Sequence, residues 1–329
     1  MKFSLKVPMM LSMLVVGSAN AAVIITDGNV SLGVNNLGQL NVNGGVADVG
    51  GETGVGVRWL DDGLQYESTA QGCDCEGWGV STNGISGYAN NSSGTSGLSL
   101  IDFSSSATSA TSVVNMNDDL TITHDFSLSA SDNLYRVSVT IENTSGADIS
   151  DLLYRRTMDW DTSPTPFNEF VSIGGTAAAS AVIGATDDGF CSSNPLSGCG
   201  TVTSGASGDF TAAGPADHGA NFDFNFGGLT AGESYNFDIF FGGAANVDDA
   251  FSALGAVGAE VYSFGWSGLD VDQDGFADDM TGRITPTYIF GFSGVGGEAL
   301  PPTDIPEPVS IALFSLALMG LAGRRKLSK

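Results

Sequence analysis

Between Leu120 and Ile141 the chain changes polarity at nearly every residue, and this alternation limits the fold more than any other feature. Leu120, Ile122, His124, Phe126 and Leu128 share one parity, with Thr121, Thr123, Asp125 and Ser127 between them. After a turn at Ala130-Ser131-Asp132-Asn133, Tyr135, Val137, Val139 and Ile141 alternate with Arg136, Ser138, Thr140 and Glu142. Successive side chains of a strand point to opposite faces, so a period of two predicts an antiparallel hairpin with one face in a core. The segment from Ile149 to Trp160 repeats the pattern and is expected to continue the hairpin. It places Leu152, Tyr154, Arg156, Met158 and Trp160 on a common face. An arginine in such company needs an acidic partner, and Asp159 or Asp161 could serve only where the strand bends.

A second hairpin is predicted from Phe222, Phe224 and Phe226 set against Tyr235, Phe237, Ile239 and Phe241, across the turn Leu229-Thr230-Ala231-Gly232-Glu233. Helical spacing occurs once: Asn246 reads as an N-cap, Asp248 and Asp249 occupy the first turn, and Ala250, Leu254 and Val257 follow, predicting a helix over about 246–258. Shorter strands are expected at Val23–Ile25, Gln39–Val42, Glu260–Trp266 and Arg283–Phe292. Trp59 to Trp78 reads as an ordered loop region with a turn at Leu60-Asp61-Asp62-Gly63, and the Ser/Asn/Gly-rich stretch from Ser81 to Gly97 is expected to be exposed. Many strands, hairpin connections and turns rich in the chain's 46 glycines make the expected fold class all-β. The expected architecture is an antiparallel β-sandwich, of the large two-sheet kind, with one short helix.

The two ends of the chain have a different character. Lys2 and Lys6 precede an apolar stretch from Pro8 to Gly17, and Ala19-Asn20-Ala21 offers a small-x-small cleavage site, so residues 1–21 are expected to be a signal peptide. The body over residues 22–303 holds 35 acidic residues against five basic ones, Arg58, Arg136, Arg155, Arg156 and Arg283. Such a body repels nucleic acid and anionic lipid and attracts cations.

At the other end, Pro306-Glu307-Pro308 is followed by an uncharged run of 14 residues, Val309 to Ala322, and then by Arg324, Arg325 and Lys326. At about 1.5 Å per residue the run is roughly 21 Å long, a short transmembrane helix in a bilayer that thins locally or is met by snorkelling side chains. The basic cluster is a membrane stop that stays cytoplasmic, and the prolines keep the preceding segment extended at the outer boundary. These three parts in this order resemble the PEP-CTERM sorting signal, recognised by membrane-embedded exosortases of Gram-negative bacteria. The resemblance covers Ile305 to Lys326 within a sorting domain expected over residues 304–329, and implies transient anchoring in the inner membrane, cleavage near Pro306-Glu307-Pro308, and release or transfer to the cell surface. A plain single-span anchor and a sortase signal are the rivals; Leu300-Pro301-Pro302-Thr303-Asp304 differs from a sortase motif by Asp304 in the glycine position.

Two constellations in the body suggest chemistry. Asp270, Asp272, Asp274 and Asp278 fall at alternate positions, with Gly275 sixth and the Phe276 carbonyl available, which is an oxygen cage of the kind Ca²⁺ prefers. The twelfth position is Thr281 rather than a bidentate glutamate, so the expected affinity is weak, about 10⁻⁴–10⁻³ M. The bland alternative is an acidic hairpin tip held by Asx turns. Four cysteines in an exported chain suggest two disulfides, Cys191 with Cys199 and Cys73 with Cys75, with a Cys-x-Cys metal site as the alternative for the second pair. No nucleophile elbow, zinc-protease helix or phosphate loop occurs. The two histidines, His124 and His218, fit structural roles better than catalysis, and Trp59, Trp78, Trp160 and Trp266 fit core packing better than sugar stacking. The expected function is a structural or adhesive protein of the cell surface or exopolysaccharide matrix, in which Ca²⁺ on the acidic face bridges to anionic polysaccharide. Its expected processing partners are signal peptidase and an exosortase. A carbohydrate-binding surface module is the leading alternative, and an exported polysaccharide-active enzyme the next.

Overall fold

The computed structural model describes residues 22–205, 207–268 and 285–302. Within them the first third of the body forms β1 (Ala22–Asp27), β2 (Val30–Asn35), β3 (Val57–Asp61), β4 (Leu64–Glu67), β5 (Gly77–Thr82), β6 (Ile85–Asn90), β7 (Gly94–Ser96) and β8 (Leu98–Ser105). The middle forms β9 (Ala110–Met116), β10 (Leu120–Leu128), β11 (Leu134–Asn143), β12 (Leu153–Asp159), β13 (Glu169–Gly174) and β14 (Val182–Thr186). The last part forms β15 (Phe210–Ala216), β16 (Gly219–Asn225), β17 (Ser234–Ala244), α1 (Val247–Val257), β18 (Val261–Ser267) and β19 (Thr287–Ser293). Among the described residues no helix is long and apolar enough to cross a membrane.

The strands make three antiparallel sheets. β1 to β4 form a four-stranded meander; a nine-stranded sheet runs β15-β13-β18-β19-β17-β11-β10-β9-β8; a six-stranded sheet runs β14-β16-β12-β5-β6-β7. Alternation explains how the two larger sheets meet. Phe222 and Phe224 of β16 meet Phe292 of β19 edge-on at centroid distances of 5.1 and 4.8 Å, and Tyr154 of β12 meets Phe237 of β17 at 4.9 Å. Such T-shaped contacts set the positive edge of one ring against the negative face of another. The other parity of the nine-stranded sheet is also covered near its centre. Phe240, Phe264 and Ile289 pack under α1 with Ala250, Ala253 and Leu254. That helix has the expected limits: Asn246 caps it by accepting from the Asp249 N–H, and Gly258 ends it with φ 65°, in the left-handed region.

The Leu120–Ile141 hairpin forms in the register that alternation demands, with Ile122 opposite Ile141 and Phe126 opposite Val137. Several expectations need correction. Residues 149–160 do not extend this hairpin: β12 pairs with β5 and β16 in the six-stranded sheet, so its apolar face looks across at the hairpin. The two phenylalanine-rich runs likewise belong to different sheets. β16 and β17 are joined by an arch that stacks Phe226 on Tyr235 at 4.1 Å, because matching apolar faces can be buried against each other as well as side by side. The Ser/Asn/Gly-rich residues 81–97 are largely strand. Residues 83–85 and 91–96 are exposed as expected, while a Cβ on Gly87 would lie 2.5 Å from Leu98 and 2.7 Å from Met116, so glycine there serves close packing. Within the expected loop of residues 59–78, β3 and β4 form a hairpin whose turn residues Asp62 and Gly63 both have positive φ. Gln39–Val42 makes only isolated bridges.

Candidate functional site

The sorting residues Pro306, Glu307, Pro308, Arg324, Arg325 and Lys326 lie outside the described residues, as do Asp270, Asp272, Asp274, Phe276 and Asp278. The cysteines are described. Cys191–Cys199 and Cys73–Cys75 stand at disulfide distance, with Cα separations of 5.4 and 5.1 Å. Trp78 and Trp160 are fully buried and Trp59 nearly so, while Trp266 stacks on Phe170 at 6.0 Å.

Neither histidine is placed for nucleophilic catalysis. His124 is buried against Trp78, 4.4 Å between centroids, with Nε2 3.1 Å from the Tyr154 hydroxyl, and burial holds its pKa well below the ordinary value. His218 Nδ1 lies 3.1 Å from both Asp187 Oδ2 and the Thr203 hydroxyl, while Nε2 faces the Glu169 carbonyl at 3.2 Å. A hydrolytic triad needs the nucleophile and the orienting acid on opposite ring nitrogens, and here both sit on the same one. Burial pushes Asp187 up, but donation from the Thr203, Val202 and Ser204 N–H groups and from His218 holds it well below the usual range.

The buried arginines are matched to acids. Arg156 Nε donates to Glu76 Oε1 at 2.5 Å with both side chains fully buried, and its guanidinium also lies over Phe241. The partner thus comes from the loop before β5, not from Asp159 or Asp161. Arg58 pairs with Glu67 at 2.8 Å, again without exposure, and Glu67 also accepts from the Gly56, Ser68, Thr69 and Ala70 N–H groups. Arg155, on the opposite face of β12 from Arg156, pairs with Asp223 through two hydrogen bonds and reaches the Ser192, Asn194 and Ser197 carbonyls.

At the end of β12 the same chain buries acids differently. Trp160 turns into the core and donates its indole N–H to Ser263 Oγ at 3.1 Å, so its neighbours Asp159 and Asp161 leave on the other side together. Asp217, in the β15–β16 connection, brings a third carboxylate, and oxygens of the three lie within 4.8 Å of one another. Asp159 is 1% exposed and Asp161 0%. Yet Asp159 Oδ1 and both Asp161 oxygens meet no donor outside the cluster, where a proton held by Asp161 is shared with the Asp159 carboxyl, and Oε2 of the fully buried Glu169, which opens β13, has no partner. The other Glu169 oxygen accepts from the Thr162 N–H at 3.1 Å. Among the described residues no arginine pairs with any of these four acids. Burial, then the charges of Asp159, Glu169 and Asp217, push Asp161 up to about 9. Burial and Asp217 push Asp159 up to about 7, and burial pushes Glu169 up to about 9 against the backbone donors that favour its charge. Asp159 Oδ2 lies 3.4 Å from Cys73 Sγ, and a Cβ on Gly72 would come within 2.9 Å of Asp161 Oδ2, so the Gly72–Cys75 loop closes over the cluster. Asp159 and Asp161 stand out in the sequence only as neighbours of Arg156. Glu169 and Asp217 carry no signal in a chain with so many acids.

The molecule is therefore a β-rich body whose described residues show paired buried charges and one unpaired acidic cluster, with a tail that carries its own address. That tail matches the PEP-CTERM protein-sorting motif over residues 304–326, which marks an exported protein directed to an exosortase. No curated protein matches the chain.

Proposed function

We propose that this protein is an exported structural or adhesive component of a Gram-negative cell surface or exopolysaccharide matrix. Residues 1–21 are removed on export, the apolar run 309–322 holds the chain in the inner membrane for a time, and an exosortase cuts at Pro306-Glu307-Pro308. The observation that carries this reading is the PEP-CTERM protein-sorting motif at residues 304–326, joined to a body with 35 acids and five bases. A body of that charge is held near anionic glycan through divalent cations, and the Asp270, Asp272, Asp274, Phe276 and Asp278 loop is proposed as one Ca²⁺ site that does so.

The test compares cells with and without the exosortase. With it, the mature protein is shorter than the exported precursor by the mass of the tail and is found at the surface or in the medium. Without it, the longer form accumulates in the inner membrane. Identical mass and location in both strains would overturn the sorting reading. Loss of surface retention on chelation of Ca²⁺, reversed by its return, is the expected result for the adhesive part.

A further inference from the structure

We infer that Asp159, Asp161 and Asp217 form a Ca²⁺ site, with Glu169 as a fourth carboxylate beside it, separate from the Asp-rich loop of residues 270–278. Two observations independent of the acids' being clustered point to a ligand. The first is the set of orphaned oxygens. Asp161 has zero exposure and its oxygens meet no donor outside the cluster, the Asp159 carboxyl being their one hydrogen-bonding neighbour, and Oε2 of the equally buried Glu169 has no partner. Buried polar groups are almost always satisfied, and a carboxylate buried without donor or counter-charge is the most costly exception. The second is where the chain spends its arginines. Of the four described, Arg58, Arg155 and Arg156 each hold a different acid, and Arg136 is exposed on β11. Among the described residues a guanidinium stands against each of Glu67, Glu76 and Asp223 and none stands here.

The chemistry of the donors selects the ion. Every ligand is a carboxylate oxygen, which suits a hard cation, and the nearby Cys73 and Cys75 sulfurs are paired with each other rather than free as thiolates. Two ligands on opposite sides of an ion are separated by twice the bond length. Oxygens within 4.8 Å of one another therefore fit around Ca²⁺, which bonds oxygen at about 2.3–2.6 Å. Access is from the Asp217 side, since Asp217 is exposed while Asp159 and Asp161 are not. The end of β12 and the distant β15–β16 connection supply the ligands, with the start of β13 beside them. A bound ion would tie both large sheets together at this end.

The test is calorimetric titration of the purified exported protein with CaCl₂ after treatment with chelator, on wild type, Asp161→Asn and Asp272→Ala. Asp161→Asn keeps the shape and removes one charge. The expected result is a Ca²⁺ binding event that survives Asp272→Ala and is weakened at least tenfold by Asp161→Asn, with a Ca²⁺-dependent rise in Tm that follows it. Asp217→Asn, at an exposed position, provides a second variant and should weaken the same event. Calcium binding unchanged in Asp161→Asn and Asp217→Asn would overturn the site. So would binding abolished by Asp272→Ala alone; the cluster would then be a set of protonated acids. Failure of the loop site shows as an unchanged Asp272→Ala titration and leaves this inference standing.

Discussion

Arg156 and Asp161 lie five residues apart, one within β12 and the other just beyond it, and their surroundings handle buried charge in opposite ways. Around Arg156 each charge has a counter-charge and further donors or acceptors: Glu76 takes the guanidinium at 2.5 Å and the Leu40 N–H at 2.6 Å. Around Asp161 three more acids gather and, among the described residues, no arginine does. Burial pushes both Glu76 and Asp161 up, but the guanidinium pulls Glu76 back, whereas the neighbours of Asp161 push it further. The first region is neutral as folded and leaves only Arg156 Nη1 and, beside it, His124 Nδ1 without partners. The second needs protons or a cation from outside, and that is how structural and ligand-dependent charge burial differ in a single chain.

The sharpest way to break the comparison is to make the first region resemble the second. Arg156→Met leaves Glu76 buried without its guanidinium and should destabilise the protein by about 3–5 kcal/mol, the usual loss when one partner of a buried pair is removed. Denaturant unfolding measures it. Replacing the pair together, Arg156→Met with Glu76→Leu, should recover most of that loss, because two apolar groups leave no stranded charge. A double variant no better than the single would mean that Arg156 acts through Phe241 and the Gly38 carbonyl rather than through Glu76.

Next in size is the calcium-linked stability of the second region. A ligand at a hundredfold excess over its Kd adds about 2.7 kcal/mol to the folded state. Wild type should show an increment of that order and Asp161→Asn little of it. In chelator the order reverses and Asp161→Asn should be the more stable near neutral pH, because the amide is neutral without the proton that Asp161 must take up on folding. A variant that behaves the same in calcium and in chelator would place Asp161 with the structural acids.

The pH profile of the metal-free protein follows from the same contrast. Asp159 at about 7 and Asp161 and Glu169 at about 9 hold protons in the folded state that the unfolded chain has released above about pH 4. Where the native state binds more protons, stability falls as pH rises, so stability should decline from about pH 4 to pH 9 by up to about 1.4 kcal/mol per pH unit for each proton of difference. Asp187 acts in the opposite sense: its depressed value contributes stability above about pH 4 that is lost on acidification. Urea midpoints in chelator from pH 4 to 9 should therefore fall toward alkaline pH, and added calcium should flatten the fall. A midpoint that rises across this range without metal would contradict the buried, unpaired state of the cluster.

Local order was legible in the sequence where it is set by local chemistry. The β10–β11 register, the Asn246 cap and the Asp62-Gly63 turn each follow from a few adjacent residues. Sheet membership was not, because Phe222 and Phe224 are equally satisfied beside β17 or facing it, and the period of two is the same in both. The cluster was illegible for a related reason. Asp159, Asp161, Glu169 and Asp217 span 59 positions, and in a body with 35 acids no spacing singles them out. Only the satisfaction of Glu67, Glu76 and Asp223 by arginines, which is a fact of the fold, leaves those four conspicuous.

Arg155 and Asp223 provide the smallest effect and the finest test of what completeness means here. Their pair is bidentate, at 2.6 and 2.8 Å, but Asp223 is 15% exposed and Arg155 also reaches the Ser192, Asn194 and Ser197 carbonyls. Asp223→Asn keeps an acceptor, leaves those three carbonyls in place and admits water to the guanidinium. It should therefore cost about 1 kcal/mol, near the range of partly exposed pairs and well below the Arg156→Met loss. Because Arg155 pins the loop from Ser192 to Ser197, the variant should also quicken hydrogen exchange there while leaving β5 and β12 protected. A loss as large as that of Arg156→Met would show that the carboxylate, and not the set of carbonyls, keeps Arg155 buried, and that every arginine of β12 depends on one acid.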